Sequence, residues 1–239
     1  MIPSMRQRWF SLVAWLLPLL WACTPRLPPM PIPVGLRDAP RDAAVRWADS
    51  TRLSEQLDIR FRFRSQNQDG SAGGRGRARF SPRDSIRFDV VGPLGMGRAS
   101  VFVVGDSAVW TEPEEQIRKL VPNWPLFWAM LGVARRPEPD AGIRSFSDPM
   151  VTAWQFVSGS DTVEYVVEQG PEPRLLAEVR QGAVRVGRVE TRFGPDGFPA
   201  TSRLTVPRPA ARLELTFQTP VKVDSFAPDT WSRPAPPER

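Results

Sequence analysis

The chain has no histidine and only one cysteine in 239 residues. Without imidazole there is no Ser-His-Asp or Cys-His machinery, and no Cys/His zinc site. One thiol cannot form an internal disulfide. No Gly-x-Ser-x-Gly elbow is present, so a serine hydrolase has neither nucleophile turn nor base. The acidic residues fall mostly on charged strand faces, and no nucleotide-binding motif occurs. The expectation is a protein that is not an enzyme, with no catalytic residue, no cofactor and no metal. Lysine is also scarce, limited to Lys119 and Lys222, so the formal charge of +6 rests on arginine. These arginines are spread along the chain rather than clustered, which argues against nucleic acid as a partner.

The longest apolar stretch, Trp9 to Leu20, is too short to cross a hydrocarbon core of about 30 Å comfortably and contains Pro18. Preceded by Arg6 and Arg8 and followed by Leu20-Trp21-Ala22-Cys23, it reads as a signal peptide over residues 1–22. The cysteine after a small residue resembles a bacterial lipobox, in which the thiol is acylated and becomes the new N-terminus. Trp21 departs from the small residue usual at its position, and an ordinary secreted protein with a stray thiol is the alternative. Thr24 rather than Asp after Cys23 points, by the sorting rules of such lipoproteins, to the outer membrane. Residues 23–41, "CTPRLPPMPIPVGLRDAPR", are too rich in proline for a helix and read as a semi-extended tether. A folded domain then occupies residues 42–232, and a proline-rich tail residues 233–239.

Within that domain, residues 42 to 56 weakly support a surface helix. Leu57, Ile59, Phe61 and Phe63 alternate with Asp58, Arg60, Arg62 and Arg64, the period of an antiparallel strand covered on one face. "NQDGSAGGRG" reads as turn, followed by strands at residues 75–80 and 85–91. Further strands are expected at 151–157, 162–168, 175–180, 183–193, 200–206 and 212–217. Gly194-Pro195-Asp196-Gly197 marks a hairpin. Inside the run ending at Phe193 the alternation changes phase, which places a bulge near Gly187. Thr111-Glu112-Pro113-Glu114 fits a capping box opening a helix to about Leu120. Asn123 caps a second short helix, Trp124 to Leu131, which is apolar on nearly every side and must therefore be covered. One curved antiparallel sheet with a helical plug follows from this order of elements.

At the tip between two of these strands stands "GPLGM", Gly92, Pro93, Leu94, Gly95 and Met96. Proline fixes one dihedral and the glycines tolerate tight bends, so the turn can hold Leu94 outward. Packing of Leu94 against Met96 or the helical plug is the plain alternative. The ordered set of lipobox, tether, charged helix, the strand through Val91, "GPLG", a further strand, "EPEEQIRKL" and "LFWAMLGV" resembles the LolB family of outer-membrane lipoproteins. The resemblance covers most of residues 45 to 135. It implies a mainly β fold with an α lid, an incomplete antiparallel β-barrel enclosing an apolar cavity, lipidated at Cys23. It also implies that Leu94 projects from its loop to promote delivery of acyl chains to the membrane, facing the periplasm. The implied partners are acylated lipoproteins, a LolA-like periplasmic carrier and membrane lipid, with the chain acting as a monomer. Candidate walls and lid of the acyl cavity are Phe61, Phe63, Phe88, Val101, Val103, Trp110, Trp124, Phe127, Trp128, Leu131, Trp154 and Phe156, although any one of them taken alone is more often simple core. A LolA-fold lipoprotein that carries or senses a different lipid is the alternative function.

Overall fold

The computed structural model describes residues 27–82, 84–92, 97–112 and 123–233. The leader, Cys23, the loop residues Pro93 to Met96, the helix expected up to Leu120 and the tail after Arg233 lie outside the described residues.

Alternation dictates the first strands. In β2 (Leu57–Asn67), Leu57, Ile59 and Phe61 are buried while Arg60, Arg62 and Arg64 are exposed. β3 (Gly70–Ser81) pairs with it antiparallel along its whole length, from Asn67 opposite Gly70 to Leu57 opposite Phe80. The glycine-rich segment expected as turn is therefore mostly strand, and the turn shrinks to Gln68 and Asp69. The reason is steric. A Cβ on Gly76 would lie 2.2 Å from the Phe61 ring, and one on Gly74 would lie 2.7 Å from the Phe63 ring. These glycines make room for aromatic rings folded across the neighbouring strand.

β4 (Ser85–Val91), β5 (Arg98–Val104) and β6 (Ser107–Glu112) continue the meander. A second meander runs through β7 (Gly142–Ser147), β8 (Val151–Ser158), β9 (Asp161–Glu168), β10 (Arg174–Gln181), β11 (Val184–Phe193), β12 (Pro199–Pro207) and β13 (Ala210–Phe217). Pairing of β13 with β2, Phe217 opposite Phe61, joins the two into one sheet. β1 (Arg37–Asp38) extends the far edge on β7, and β14 (Val221–Lys222) adds to β2. β1 and β6 end the sheet without meeting, so the barrel is incomplete. The phase change near Gly187 is real: Val179 pairs with Gly187 but Arg180 with Arg185, leaving Val186 as the extra residue. The hairpin at Gly194 to Gly197 forms as its residues require, with Gly197 at φ 76° and the Gly194 amide bonded to the Phe198 carbonyl at 2.7 Å.

Strand directions sort the turns onto two rims. One rim, here the upper, bears residues 67–70, 91–98, 158–161, 181–184 and 207–210; the other bears 81–85, 104–107, 147–151, 168–174 and 193–199. Gly92 closes the base of the tip loop by donating to the Gly97 carbonyl at 3.0 Å.

Among the described residues, two helices sit in the concavity. α1 (Arg41–Ser50) buries Ala44 and Ala48 and lays Trp47 on Trp154, ring centroids 5.4 Å apart. α2 (Trp124–Ala129) is capped by the Asn123 carboxamide, which accepts from the Leu126 amide at 3.4 Å, and its Leu126, Phe127, Trp128 and Ala129 are all buried. It is shorter than the segment to Leu131 expected from sequence, because the chain turns at Met130 to Gly132. The proline-rich segment does not behave as a free tether over its described part. Met30, Ile32 and Leu36 pack on the outer face of the sheet against Ala153, Val166 and Leu176. At the other end of the domain, a short helical turn brings Trp231 onto Phe102 at 5.4 Å, also on the outside.

Candidate functional site

The inner face of the sheet is mostly apolar because its inward positions are largely hydrocarbon or aromatic side chains, with Thr191 and Ser202 as buried polar exceptions, and α2 occupies its centre. Phe127 of α2 meets Phe88 at 5.3 Å, Phe88 meets Phe61 at 5.7 Å, and Trp128 meets Phe80 at 6.4 Å. Polar contacts fix the helix in register. The Trp128 indole donates to the Gly105 carbonyl at 2.8 Å, and the Thr191 hydroxyl donates to the Ala129 carbonyl at 2.7 Å. Next to it, the Arg135 guanidinium lies 5.3 Å from the centre of the Trp128 ring and pairs with Asp106 at 2.9 Å and Asp84 at 3.4 Å. The Arg135 amide donates to the Tyr165 hydroxyl at 3.1 Å. Full burial drives the Tyr165 phenol well above its ordinary pKa, so it stays neutral.

α1 is tied to the same segment. The Arg41 guanidinium donates to the carbonyls of Pro137, Glu138 and Ala141, and Arg136 forms a two-pronged pair with Asp49 at 2.7 and 2.8 Å. Those bonds hold the Asp49 carboxyl below, and the Arg136 guanidinium above, their usual pKa values. Helix, returning segment and sheet thus form one braced unit around α2.

What remains open lies to either side of that helix. Between α2 and strands β8 to β10 runs a cleft of about 810 Å³ lined by Trp124, Phe156, Val163, Tyr165 and Val179, with Arg135, Asp140 and Asp161 at its polar margin. Its size falls within the range of small-ligand sites. On the β2 to β5 and β11 to β13 side, Phe63, Phe88, Val90, Val186 and Leu213 are only half-buried against the core. A separate pocket of about 340 Å³ at the lower rim is lined by Leu53, Leu57, Val167, Leu175, Phe193 and Phe198.

The residues expected to line a cavity separate into two groups. Phe61, Val101, Val103, Phe127, Trp128, Leu131, Trp154 and Phe156 are buried in the main core, though Phe156 also borders the cleft. Phe63, Phe88 and Trp124 are half-open. Val103 pairs with Ala108 but Phe102 with Trp110, so Val109 is an extra residue in β6, and the Trp110 side chain lies outside the described residues. Sequence reasoning overlooked Arg135, Tyr165 and Thr191, whose partners are 29 or more residues away in four of the bonds described above. Periodicity carries no signal for such contacts. Among the described residues no group of acidic or cysteine side chains could hold a metal ion, and no helix is long and apolar enough to cross a membrane.

No protein-family model matches the chain, and no curated protein does. Solved structures do. A LolA superfamily protein from Nitrosomonas europaea superposes with a TM-score of 0.51 at 10% identity, over 81% of this chain and 97% of that one. A domain described as an outer membrane lipoprotein-sorting protein from Vibrio parahaemolyticus gives a TM-score of 0.48 at 9% identity, over 80% and 95%. At such identity the first likeness establishes the fold: a LolA-like incomplete antiparallel barrel with helices in its concavity.

Proposed function

We propose that the protein is an outer-membrane lipoprotein, anchored through Cys23 and facing the periplasm, that takes acylated lipoproteins from a LolA-like carrier and inserts them into the membrane. The observation that supports this most is the apolar inner face left half-open on both sides of α2, on a LolA-like fold whose upper rim carries the loop of Leu94. Acyl chains contribute roughly 0.8 kcal/mol per buried methylene, so a modest difference in fit between donor and acceptor, summed over many carbons, sets a direction of transfer without nucleotide hydrolysis. One leucine entering a bilayer is worth only about 1.5–3 kcal/mol, too little to anchor the domain. Its part is to disturb lipid packing where a cargo chain leaves the mouth.

The test loads the protein with an acylated lipoprotein and follows release to liposomes. Leu94→Glu is expected to leave the circular dichroism spectrum and cargo loading intact while abolishing release; release at the native rate would remove the loop from the mechanism. A second reading has support in the polar margin of the cleft, where Arg135, Asp140 and Asp161 suit a lipid with a headgroup. Mass spectrometry of ligand extracted from the native protein separates the two. Acylated peptide supports lipoprotein transfer, and a phospholipid or glycolipid alone supports a lipid carrier or sensor.

A further inference from the structure

The outer face of β2, β3 and β5 presents a concentration of arginine that neither the core nor the ion pairs account for. Arg60, Arg62, Arg64, Arg75 and Arg98 are all exposed, and none has an ion-pair partner among the described residues. Neighbouring arginines are satisfied: Arg77 by Asp58, Arg79 and Arg87 by Asp89, Arg203 and Arg212 by Glu214. The unsatisfied ones oppose each other. Arg62 pairs in register with Arg75, Arg75 with Val91, and Val91 with Arg98, so one cross-strand row holds three guanidinium groups around an exposed valine. Like charges directly opposite each other destabilise a sheet. An anion placed along such a row relieves that repulsion.

Its position narrows the choice of anion. Arg98 and Val91 flank the tip loop that holds Leu94. On the same rim, at the start of β11, the Arg185 guanidinium donates to the Leu27 carbonyl at 3.2 Å, fixing where the outer proline-rich segment arrives. Cys23 is four residues earlier in the chain, a span of at most about 14 Å. β11 and β2 are separated by β12 and β13, roughly 14 Å across the strands, and Arg185 stands roughly 20 Å along them from Arg192, the β11 residue in register with Arg62. The Val91 to Arg98 turn and the Arg185 end of β11 lie on the same rim, and the arginine row runs from that turn across the outer face of the sheet.

We propose that this outer arginine face docks on the phosphate headgroups of anionic phospholipids, so that the upper rim is held against the bilayer. The proposal rests on the reading that Cys23 is lipidated. Guanidinium binds phosphate through two parallel hydrogen bonds, and the planar fork suits a row of headgroups better than a flexible ammonium does. Docking in this orientation puts the half-open apolar mouth beside the membrane.

The experiment places the mature lipidated chain in vesicles of phosphatidylcholine alone or of phosphatidylcholine with a third phosphatidylglycerol. Phenylglyoxal labelling of each arginine is then read by mass spectrometry. Labelling of Arg62, Arg75 and Arg98 is expected to fall about five-fold in the anionic vesicles, the ratio one arginine gains at such a surface. It should recover in about 1 M salt, where the screening length is only about 3 Å. Arg46 on α1, paired with Asp42, serves as the unchanged reference. Substituting Arg62→Gln and Arg75→Gln together should restore labelling at Arg98 in anionic vesicles. Equal labelling in the two vesicle types overturns the proposal. So does shielding of these arginines by a soluble LolA-type carrier but not by phosphatidylglycerol, which would make the face a protein contact. Vesicle attachment and cargo release, measured on the same samples, report separately on the anchoring and transfer reading.

Discussion

Trp128→Phe isolates what pins α2 inside the sheet. Trp128 is completely buried and lines neither cavity, so the substitution leaves the open surfaces unchanged. Phenylalanine keeps an aromatic ring against Phe80 and Phe127 but removes the indole donor to Gly105. Losing that bond costs about 1 kcal/mol. The Arg135 guanidinium, 5.3 Å from the indole centre, loses part of a cation–π contact worth about 0.5–2 kcal/mol. The smaller ring also leaves unfilled space in the core, so the total is about 2–3 kcal/mol. For a domain of this size that lowers Tm by roughly 5–10 °C. Trp128→Ala adds most of a large cavity and should cost about 3–5 kcal/mol. Denaturant titration with constant m-value measures both. Acyl-chain affinity of the folded Trp128→Phe protein should stay within a few-fold of native. A Tm within 1 °C of native, or a large loss of acyl binding at full folding, would refute the division between the pinned core and the open surfaces.

Stability should fall in acid partly through Asp58. The hydrogen bonds from Arg77 hold its carboxyl below the 3.8 of a free aspartate. A depressed folded pKa contributes stability above the unfolded value, and that contribution is lost as pH drops through about 4 and then past the folded value. Melting curves of Asp58→Asn should therefore depend less on pH than native ones below about pH 4; parallel curves would contradict this. Gly76→Ala should cost about 1–3 kcal/mol by overpacking, because its Cβ meets the buried Phe61 ring, itself held by Phe88 and Phe217. Adding Phe61→Leu to that variant should cost less than Phe61→Leu in the native background, and a double-mutant cycle with no coupling would rule out the ring contact. Ile32→Asp should release the outer proline-rich segment, costing about 1–2 kcal/mol locally. Limited proteolysis between residues 27 and 36 should accelerate while Tm of the sheet barely changes.

The two sides of α2 separate the pinned core from open apolar surface. The buried ring cluster and the braces from Arg135, Arg136 and Thr191 make the helix a fixed wall. The half-exposed Phe63, Val90 and Leu213 on one side, and the cleft with Trp124 and Val163 on the other, remain accessible to an apolar ligand without unfolding it.

The strand alternation from Leu57 to Phe63, the Asn123 cap and the hairpin at Gly194 to Gly197 were set by the sequence by itself, since each depends on neighbours a few residues away. So was the slip beside Gly187, visible as a change of phase within a single strand. Tertiary structure decided the rest. Residues 70–76 became strand because the Phe61 and Phe63 rings need glycine across from them. The pairing of β5 with β6 slipped by one residue at Val109, a bulge the local pattern does not announce. The proline-rich segment lay down on Ala153, Val166 and Leu176 instead of extending freely, because those outward residues offered an apolar surface that no local pattern reveals. Pairing of β13 with β2, and the long-range bonds of Arg135 and Thr191, join segments far apart in the chain, and only the folded sheet brings them together.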